Sequence, residues 1–323
     1  MDWSHFGMDR PPFRPAVDTA AYFPASSHES ALIALAAAFA RREPAVLIDG
    51  GPGVGKSLVA RKWLDDLLPD VPRVLLPNAH AERPADLLQA ILFDLGKPYQ
   101  GLSEQELRLA VTGQLLDTAT GDFPTVLVID EAQHLSHSAL EELRLLSNLE
   151  TRRGAAAFAV LVAQPVLRVT LSGPAYALVA DRVAVRCALE PLSVEESAAY
   201  LRHQVSAAGG DPQAVFDDSA VSLLASACGG IPRGLNRAAG LAFELAAEAE
   251  AELVDVEAVG EALARLDVAL PETDEPANAV LLPHPARTVE PDEPLTGKSA
   301  SDEADESATA RGSKDKASRK RFA

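Results

Sequence analysis

The sequence predicts an α/β fold in which helices flank a mostly parallel sheet, followed by a small all-helical unit and a disordered tail. Short apolar segments alternate with longer amphipathic segments from residue 45 to Pro191. Continuous apolar strands separated by helices are typical of a parallel sheet that is covered on both faces. The strand pattern ends after Pro191, and from about residue 270 the chain is rich in Pro, Glu, Asp, Ser, Thr and Ala. Such a composition buries too little apolar surface to offset the entropy of ordering.

Each element follows from the local pattern. Residues 1–25 combine prolines with aromatic residues without a helical or strand period, which predicts a lead-in segment. Ser26 and Glu29 have capping-box spacing, so a helix is expected over 26–42. Strands are expected at 45–48, 73–76, 125–129, 158–163 and 183–189, with helices between them at about 56–68, 84–96, 103–119, 138–151 and 165–171. The later helices are expected at 193–208, 217–227, 232–249 and 255–266.

This pattern divides the chain into four segments: the lead-in at 1–25, an α/β domain at 26–190, a helical lid domain at 191–268 and the tail at 269–323. The net charge of −18 disfavours binding of nucleic acid or anionic lipid over the whole surface. Two cysteines are too few for a disulfide framework and indicate a reducing compartment. The N-terminus lacks the pattern of a signal peptide, and no apolar segment is long enough for a transmembrane helix. We therefore expect a cytoplasmic protein, with peripheral contact to the inner membrane as an open alternative.

A glycine-rich segment follows the first predicted strand and precedes a predicted helix. Its residues 50–57 fit the pattern GxxxxGK[ST], which is specific in this strand-to-helix context. Glycines allow successive backbone N–H groups to form a concave site for phosphate oxygens at the start of a helix. The alternative is a glycine-rich turn with a solvent-exposed lysine. The predicted nucleotide-binding residues are Gly50, Gly51, Pro52, Gly53, Val54, Gly55, Lys56, Ser57 and Leu58.

Two adjacent acidic residues end the third predicted strand. Asp130 and Glu131 follow the apolar run at 126–129, so they are expected at the edge of the sheet where ligands bind. With a phosphate-binding loop nearby, Asp130 and the Ser57 hydroxyl are predicted to hold Mg²⁺. Glu131 is predicted to be the general base that activates a water molecule. Without such a loop, an Asp-Glu pair is a common end of a strand.

Polar residues at three further positions complete the predicted site. Gln164 follows the fourth strand and is expected to orient water or contact the γ-phosphate; the alternative is an ordinary loop glutamine. Arg233 lies in the first turn of a predicted helix, where a cation is unfavourable without an anionic partner such as a nucleotide. Arg182 and Arg186 flank a loop-to-strand transition, and either could reach the γ-phosphate of a neighbouring subunit. The alternative to this role is a structural ion pair between an arginine and the neighbouring Asp181.

Together these features resemble AAA+ ATPases of the P-loop NTPase fold. A narrower resemblance is to the ATPase domain of the general secretion pathway protein A family, carried by the segments HFGMDRPPF, AAYFPASSHESAL, LVIDEAQHLSHSALEELRLLSNLET, VLVAQPVLR and GGIPRGLNR. The resemblance implies that Gln164 takes the sensor-one position and Arg233 the sensor-two position. It places Arg182 and Arg186 in the region of the arginine finger, and the N-terminal aromatic segment near the adenine.

The expected function is that of an AAA+ ATPase, with ATP and Mg²⁺ as cofactors, which drives a conformational change or the assembly of a partner complex related to secretion or pili. Two alternatives stay open: a non-catalytic nucleotide switch, and a DNA-associated ATPase of the transposition or replication-initiator kind. The expected partners are further copies of the chain, joined through a trans arginine, and an unidentified protein client. The basic segment RGSKDKASRKRFA predicts contact with nucleic acid or anionic headgroups, or it is simply solvated.

Overall fold

The computed structural model describes residues 3–119, 123–152 and 154–269, and these residues belong to one compact unit. The predicted disordered tail at 269–323 lies, apart from its first residue, outside the described residues. None of the helices in the described ranges is both long and apolar enough to cross a bilayer.

A five-stranded parallel sheet forms the centre of the first part of the chain, which confirms the predicted fold class. The strands of the first part of the chain are β1 Ala45–Gly50, β2 Arg73–Leu76, β3 Thr125–Ile129, β4 Glu150–Thr151, β5 Gly154–Ala155, β6 Ala157–Ala163 and β7 Val183–Leu189. The strand order of the sheet is β2-β3-β6-β1-β7, and the register pairs Leu47 of β1 with Leu161 of β6. Two short antiparallel strands, β4 and β5, precede β6.

Helices cover both faces of this sheet. Val46 and Ile48 of β1 belong to a core shared with two helices, whereas Ala45 and Leu47 belong to the opposite core, which contains residues of several other helices. Burial on both faces explains why the strands are apolar at nearly every position. The helices are α1 Ser26–Ala40, α2 Lys56–Asp66, α3 Pro84–Asp94, α4 Glu104–Thr118, α5 His137–Ser147, α6 Pro165–Leu171 and α7 Ala177–Ala180.

The described residues after β7 form five helices joined by loops, with one isolated β-bridge between Phe216 and Val254. The helices are α8 Val194–Ala207, α9 Pro212–Val215, α10 Asp218–Ala227, α11 Pro232–Glu248 and α12 Val256–Arg265. Their shared core includes the N-terminal residues Phe6 and Phe13. The Phe6 ring meets Phe243 of α11 edge-on at a centroid distance of 5.0 Å, and Phe13 lies 5.7 Å from the same ring. The lead-in segment is therefore part of the helical core.

Helix α1 begins at Ser26 as the sequence predicts, but the capping box that was predicted there is not formed. The N-cap residue is Ala25, which offers no side-chain cap. Glu29 instead accepts a hydrogen bond from the Tyr22 hydroxyl at 2.8 Å. The Ser26 backbone N–H donates to Glu196 of α8, at 2.9 Å. Glu196, which is 170 residues away in sequence, thus takes the capping role that was predicted for Glu29.

One ion pair between α4 and α5 is buried on its acidic side. Glu142 is 2% exposed and accepts hydrogen bonds from Arg108 at 2.8 Å, 2.9 Å and 3.1 Å. We expect Arg108→Ala to lower the free energy of unfolding by about 1–3 kcal/mol, because it leaves a buried carboxylate without its donor. Urea denaturation measures the change. The matched control is Arg265→Ala, which removes an exposed pair with Glu261 and should cost at most about 0.5 kcal/mol. Equal losses in the two variants would contradict the assignment.

Candidate nucleotide site

The loop between β1 and α2 adopts a conformation that requires glycine at two positions. Gly53 has φ +83° and Gly55 has φ +103°, both in the left-handed region. A Cβ atom on Gly53 would lie 2.9 Å from the Cβ of Arg233, and one on Gly55 would lie 2.9 Å from Cε1 of His28. The glycines therefore satisfy both the backbone turn and the close approach of neighbouring elements.

Lys56 is the first residue of α2 and is 8% exposed. Its Nζ donates to the carbonyl oxygens of Gly50 at 3.0 Å and Gly51 at 2.8 Å. Burial lowers the pKa of Lys56, while the nearby Glu131 and Asp130 carboxylates oppose that shift. The ammonium group is thus held in the loop, close to two acidic residues.

The two predicted acidic residues lie at the carboxyl end of β3. Asp130 is 8% exposed, and the Ser57 hydroxyl lies near its carboxylate. Burial raises the pKa of Asp130, and hydrogen bonding by the nearby Ser57 hydroxyl opposes this rise. Glu131 has φ +56°, a value that is uncommon outside glycine, and its N–H donates to Asp130 Oδ1 at 2.9 Å.

A residue that the sequence analysis did not single out connects the predicted base to the next strand. The Gln133 amide nitrogen donates to Glu131 Oε2, and Gln133 Oε1 accepts from the backbone N–H of Gln164 at 3.0 Å. Gln133 lies on a single 3₁₀ turn, Ala132–His134, directly after the acidic pair. Its place two residues beyond Glu131 is the only sequence signal for this contact.

The donor set fits a magnesium ion. Ser57 and Asp130 supply a hydroxyl and a carboxylate that lie near each other, and oxygen atoms are the ligands that Mg²⁺ prefers. Within the described part of the chain, no cluster of three or more His, Cys, Asp or Glu side chains could hold a metal ion. Sites for Mg²⁺ commonly combine one or two protein ligands with substrate phosphates, which agrees with this sparse set.

A cleft of about 670 Å³ opens between the sheet edge, the helices after β7 and the N-terminal segment. It brings together most of the predicted site residues. Those that line it are Pro52, Gly53, Gly55, Lys56, Ser57, Leu58, Glu131, Gln164 and Arg233. The N-terminal segment contributes Phe13 and Val17, and α11 contributes a second arginine, Arg237.

Arg182 and Arg186 do not line this cleft. Arg182 directly precedes β7, the outer strand of the sheet, and Arg186 lies within that strand; both side chains are exposed. Among the described residues, no ion pair joins Arg182 to the neighbouring Asp181. The role of Arg182 or Arg186 in contacting the γ-phosphate of a neighbouring subunit therefore stays a prediction.

His28 is buried against the loop, with 4% of its surface exposed. Burial lowers its pKa, whereas the bond to the Val54 carbonyl and the charges of Glu196 and Glu29 act in the opposite direction. In the unfolded chain this imidazole has its ordinary pKa near 6.5. Below that pH the unfolded state therefore binds a proton that the folded state resists, so stability is complete above it and is lost as the pH falls.

We expect the free energy of unfolding to decrease between about pH 7 and pH 5, and His28→Gln to make that decrease shallower. Urea denaturation at several pH values measures the slope. The control is His137→Gln, which replaces an exposed histidine by the same residue, glutamine. An identical slope in the parent and His28→Gln would show that His28 does not contribute.

The parallel sheet, the glycine-rich loop and the facing helices define a P-loop nucleotide-binding protein with the AAA+ fold. Residues 40–171 match the family described as AAA domain. The chain also resembles the general secretion pathway protein A of Aeromonas hydrophila, with 34% identity over 236 residues. That similarity covers 72% of this chain and 42% of the relative, so the chain spans less than half the length of the protein it matches.

Two solved structures of ORC proteins share the fold. The Aeropyrum pernix ORC2 protein in its ADPNP-ADP complexes superposes with a TM-score of 0.64 at 17% identity, over 80% of this chain and 72% of that one. Drosophila ORC bound to DNA gives a TM-score of 0.62 at 19% identity, over 80% of this chain and 65% of that one. At such low identity, these likenesses establish the fold alone.

Proposed function

We propose that this protein binds Mg–ATP in the cleft and hydrolyses it. The observation that carries the proposal is that Lys56, Ser57, Glu131 and Arg233 line one cleft, while Asp130 directly precedes Glu131 at the end of β3. They supply two cations, a hydroxyl and a carboxylate to the cleft, and Asp130 adds a second carboxylate near the hydroxyl. Phosphoryl transfer depends mainly on positioning and charge neutralisation, which such a set can supply.

Binding begins with the phosphates. The N–H groups of the loop and the start of α2 form an anion site, and Lys56 exchanges its two carbonyl contacts for phosphate oxygens. Arg233 approaches from α11, whose backbone N–H at this residue already donates to the Gly53 carbonyl at 3.3 Å. The adenosine end extends toward the lining formed by Phe13 and Val17.

Hydrolysis requires a positioned water molecule. Glu131 accepts a proton from water while the water oxygen bonds to the γ-phosphorus and the bond to the β–γ bridging oxygen breaks, which yields ADP and phosphate. Gln133 holds the Glu131 carboxylate and thereby fixes the direction of the base. Gln164 lies at the next strand end and contacts the γ-phosphate. Mg²⁺ on Ser57 and Asp130 neutralises charge on the phosphates when it is bound.

Because Arg233 belongs to the helical part and Lys56 to the sheet part, loss of the γ-phosphate changes the forces between them. We propose that this change drives rearrangement or assembly of a partner complex. Similarity to the general secretion pathway protein A supports a client in secretion or pili, and a neighbouring copy would receive Arg182 or Arg186. Capture of partners with the Glu131→Gln variant tests the client.

The primary test uses the purified protein. Calorimetry with ATP in the presence of Mg²⁺ should show saturable binding, and phosphate release should show turnover. Absence of binding would overturn the proposal. Binding without turnover, in dilute and concentrated protein alike, would favour the alternative of a non-catalytic nucleotide switch.

A further inference from the structure

One carboxylate joins the start of α1 to the start of α8. Glu196 Oε1 accepts hydrogen bonds from the Ser26 backbone N–H at 2.9 Å and the Ser26 hydroxyl at 2.7 Å. Glu196 Oε2 accepts from the Ser193 backbone N–H at 3.0 Å. These bonds lower the pKa of Glu196, and the bond from the Ser26 backbone has the largest effect. The same side chain therefore caps a helix of the sheet part and a helix of the helical part.

His28 lies two residues further along the same turn of α1 and contacts the phosphate-binding loop. Its Nε2 is 2.8 Å from the carbonyl oxygen of Val54. A carbonyl can only accept, so the proton is on Nε2 and this nitrogen is the donor. The ring also contacts Gly55, because a Cβ there would lie 2.9 Å from Cε1. The phosphate-binding loop thus contacts His28 of α1 at two successive residues, Val54 and Gly55.

The helical part also reaches the loop directly. The Arg233 backbone N–H donates to the Gly53 carbonyl at 3.3 Å, and Ile231 lies against the same glycine. The loop is consequently held from one side at Gly53 and, through α1, from the other side at Val54. A displacement of α8 and α11 would act on both contacts.

We propose that Glu196 and His28 are positioning residues that transmit the position of the helical part to the phosphate-binding loop. The path runs from α8 through Glu196 to Ser26, along one helical turn to His28, and from there to Val54. This inference rests on the proposed function, since it assigns the path a role in nucleotide binding. Neither residue lies among those that line the cleft.

Two substitutions interrupt the path at different points. Glutamine at position 196 has the shape of glutamate but a single acceptor oxygen, so Glu196→Gln cannot cap both helices. His28→Ala removes the donor to Val54, whereas His28→Gln retains an amide donor of similar reach. The matched control is Glu195→Gln, because Glu195 lies in the same turn and its carboxylate bonds the Ser193 hydroxyl rather than α1.

The first measurement is the affinity of a fluorescent, non-hydrolysable ATP analogue in the presence of Mg²⁺. We expect Glu196→Gln and His28→Ala each to raise Kd by about tenfold, within the usual range for coupled sites. The double variant should bind only about as weakly as each single one, because both interrupt one path. His28→Gln should restore most of the affinity, and Glu195→Gln should match the parent. The proposal would be overturned if both single variants bound the analogue with parental affinity. It would also be overturned if the fold-increase in Kd of the double variant were the product of the two single increases.

The second measurement needs no nucleotide. Amide hydrogen exchange at residues 53–57 should become faster in Glu196→Gln and in His28→Ala, but not in Glu195→Gln. Unchanged amide exchange at these residues in both variants would show that Glu196 and His28 do not position the loop. If the parent protein fails to bind the analogue, the proposed function fails and the role in binding fails with it, while exchange still decides whether the path exists.

Discussion

We expect Glu131→Gln to lower the rate of ATP hydrolysis by about 10²–10⁴-fold, the usual contribution of a general base, while ATP binding is retained. The amide keeps the size of the side chain and can still contact Gln133, but it cannot accept a proton from water. The base acts only during the reaction, whereas the phosphate contacts belong to Lys56 and the loop. The substitution therefore separates turnover from binding.

Single-turnover phosphate release and calorimetric titration with ATP measure the two quantities in the same preparation. The control is Glu248→Gln on the exposed end of α11, which should behave as the parent does. Hydrolysis by Glu131→Gln at the parental rate would contradict the assignment of the base. Loss of ATP binding in this variant would instead show that Glu131 supports the loop.

Lys56→Ala should weaken ATP binding by about 10²–10⁴-fold, because two charge-assisted hydrogen bonds to phosphate are lost at about 1.5–3 kcal/mol each. Turnover should then be undetectable at ordinary ATP concentrations. The Nζ atom lies within hydrogen-bonding distance of Gly50 and Gly51, inside the loop that we propose to hold the phosphates. Calorimetry and phosphate release are again the measurements.

Lys62→Ala is the matched control for this experiment. Lys62 is on the same helix, but its ammonium pairs with Asp66 on the surface and does not line the cleft. We expect this variant to bind ATP with parental affinity. Thermal unfolding of both variants without nucleotide excludes a folding defect. Equal affinities in Lys56→Ala and the parent would contradict the role of the loop.

The sequence was sufficient for the sheet and for most of the cleft. Strands such as β3 are buried on both faces, which leaves an unbroken apolar run that a single sequence displays. The loop was predictable because its backbone conformation excludes side chains at Gly53 and Gly55. The apolar run and the glycine spacing each depend on neighbouring residues in the sequence, so they can be recognised without knowing which distant residues they contact.

The features that the sequence did not predict depend on contacts between distant residues. Ser26 and Glu29 have the spacing of a capping box, yet the actual cap comes from Glu196, because the fold brings α8 beside α1. Gln133 carries no distinctive signal of its own, and its role follows only from the positions of Glu131 and Gln164. The interpretation of Arg182 depends on a second copy of the chain and stays a prediction.

The packing of the N-terminal segment has a consequence for biosynthesis. Three of the four described aromatic rings around Phe243 come from the first residues of the chain, namely Trp3, Phe6 and Phe13; the fourth is Phe216. These early residues leave the ribosome long before their partners in the helical core have been translated. They must remain without their native neighbours until translation has passed α11, so this core closes late, and its sequence-distant contacts favour slow folding.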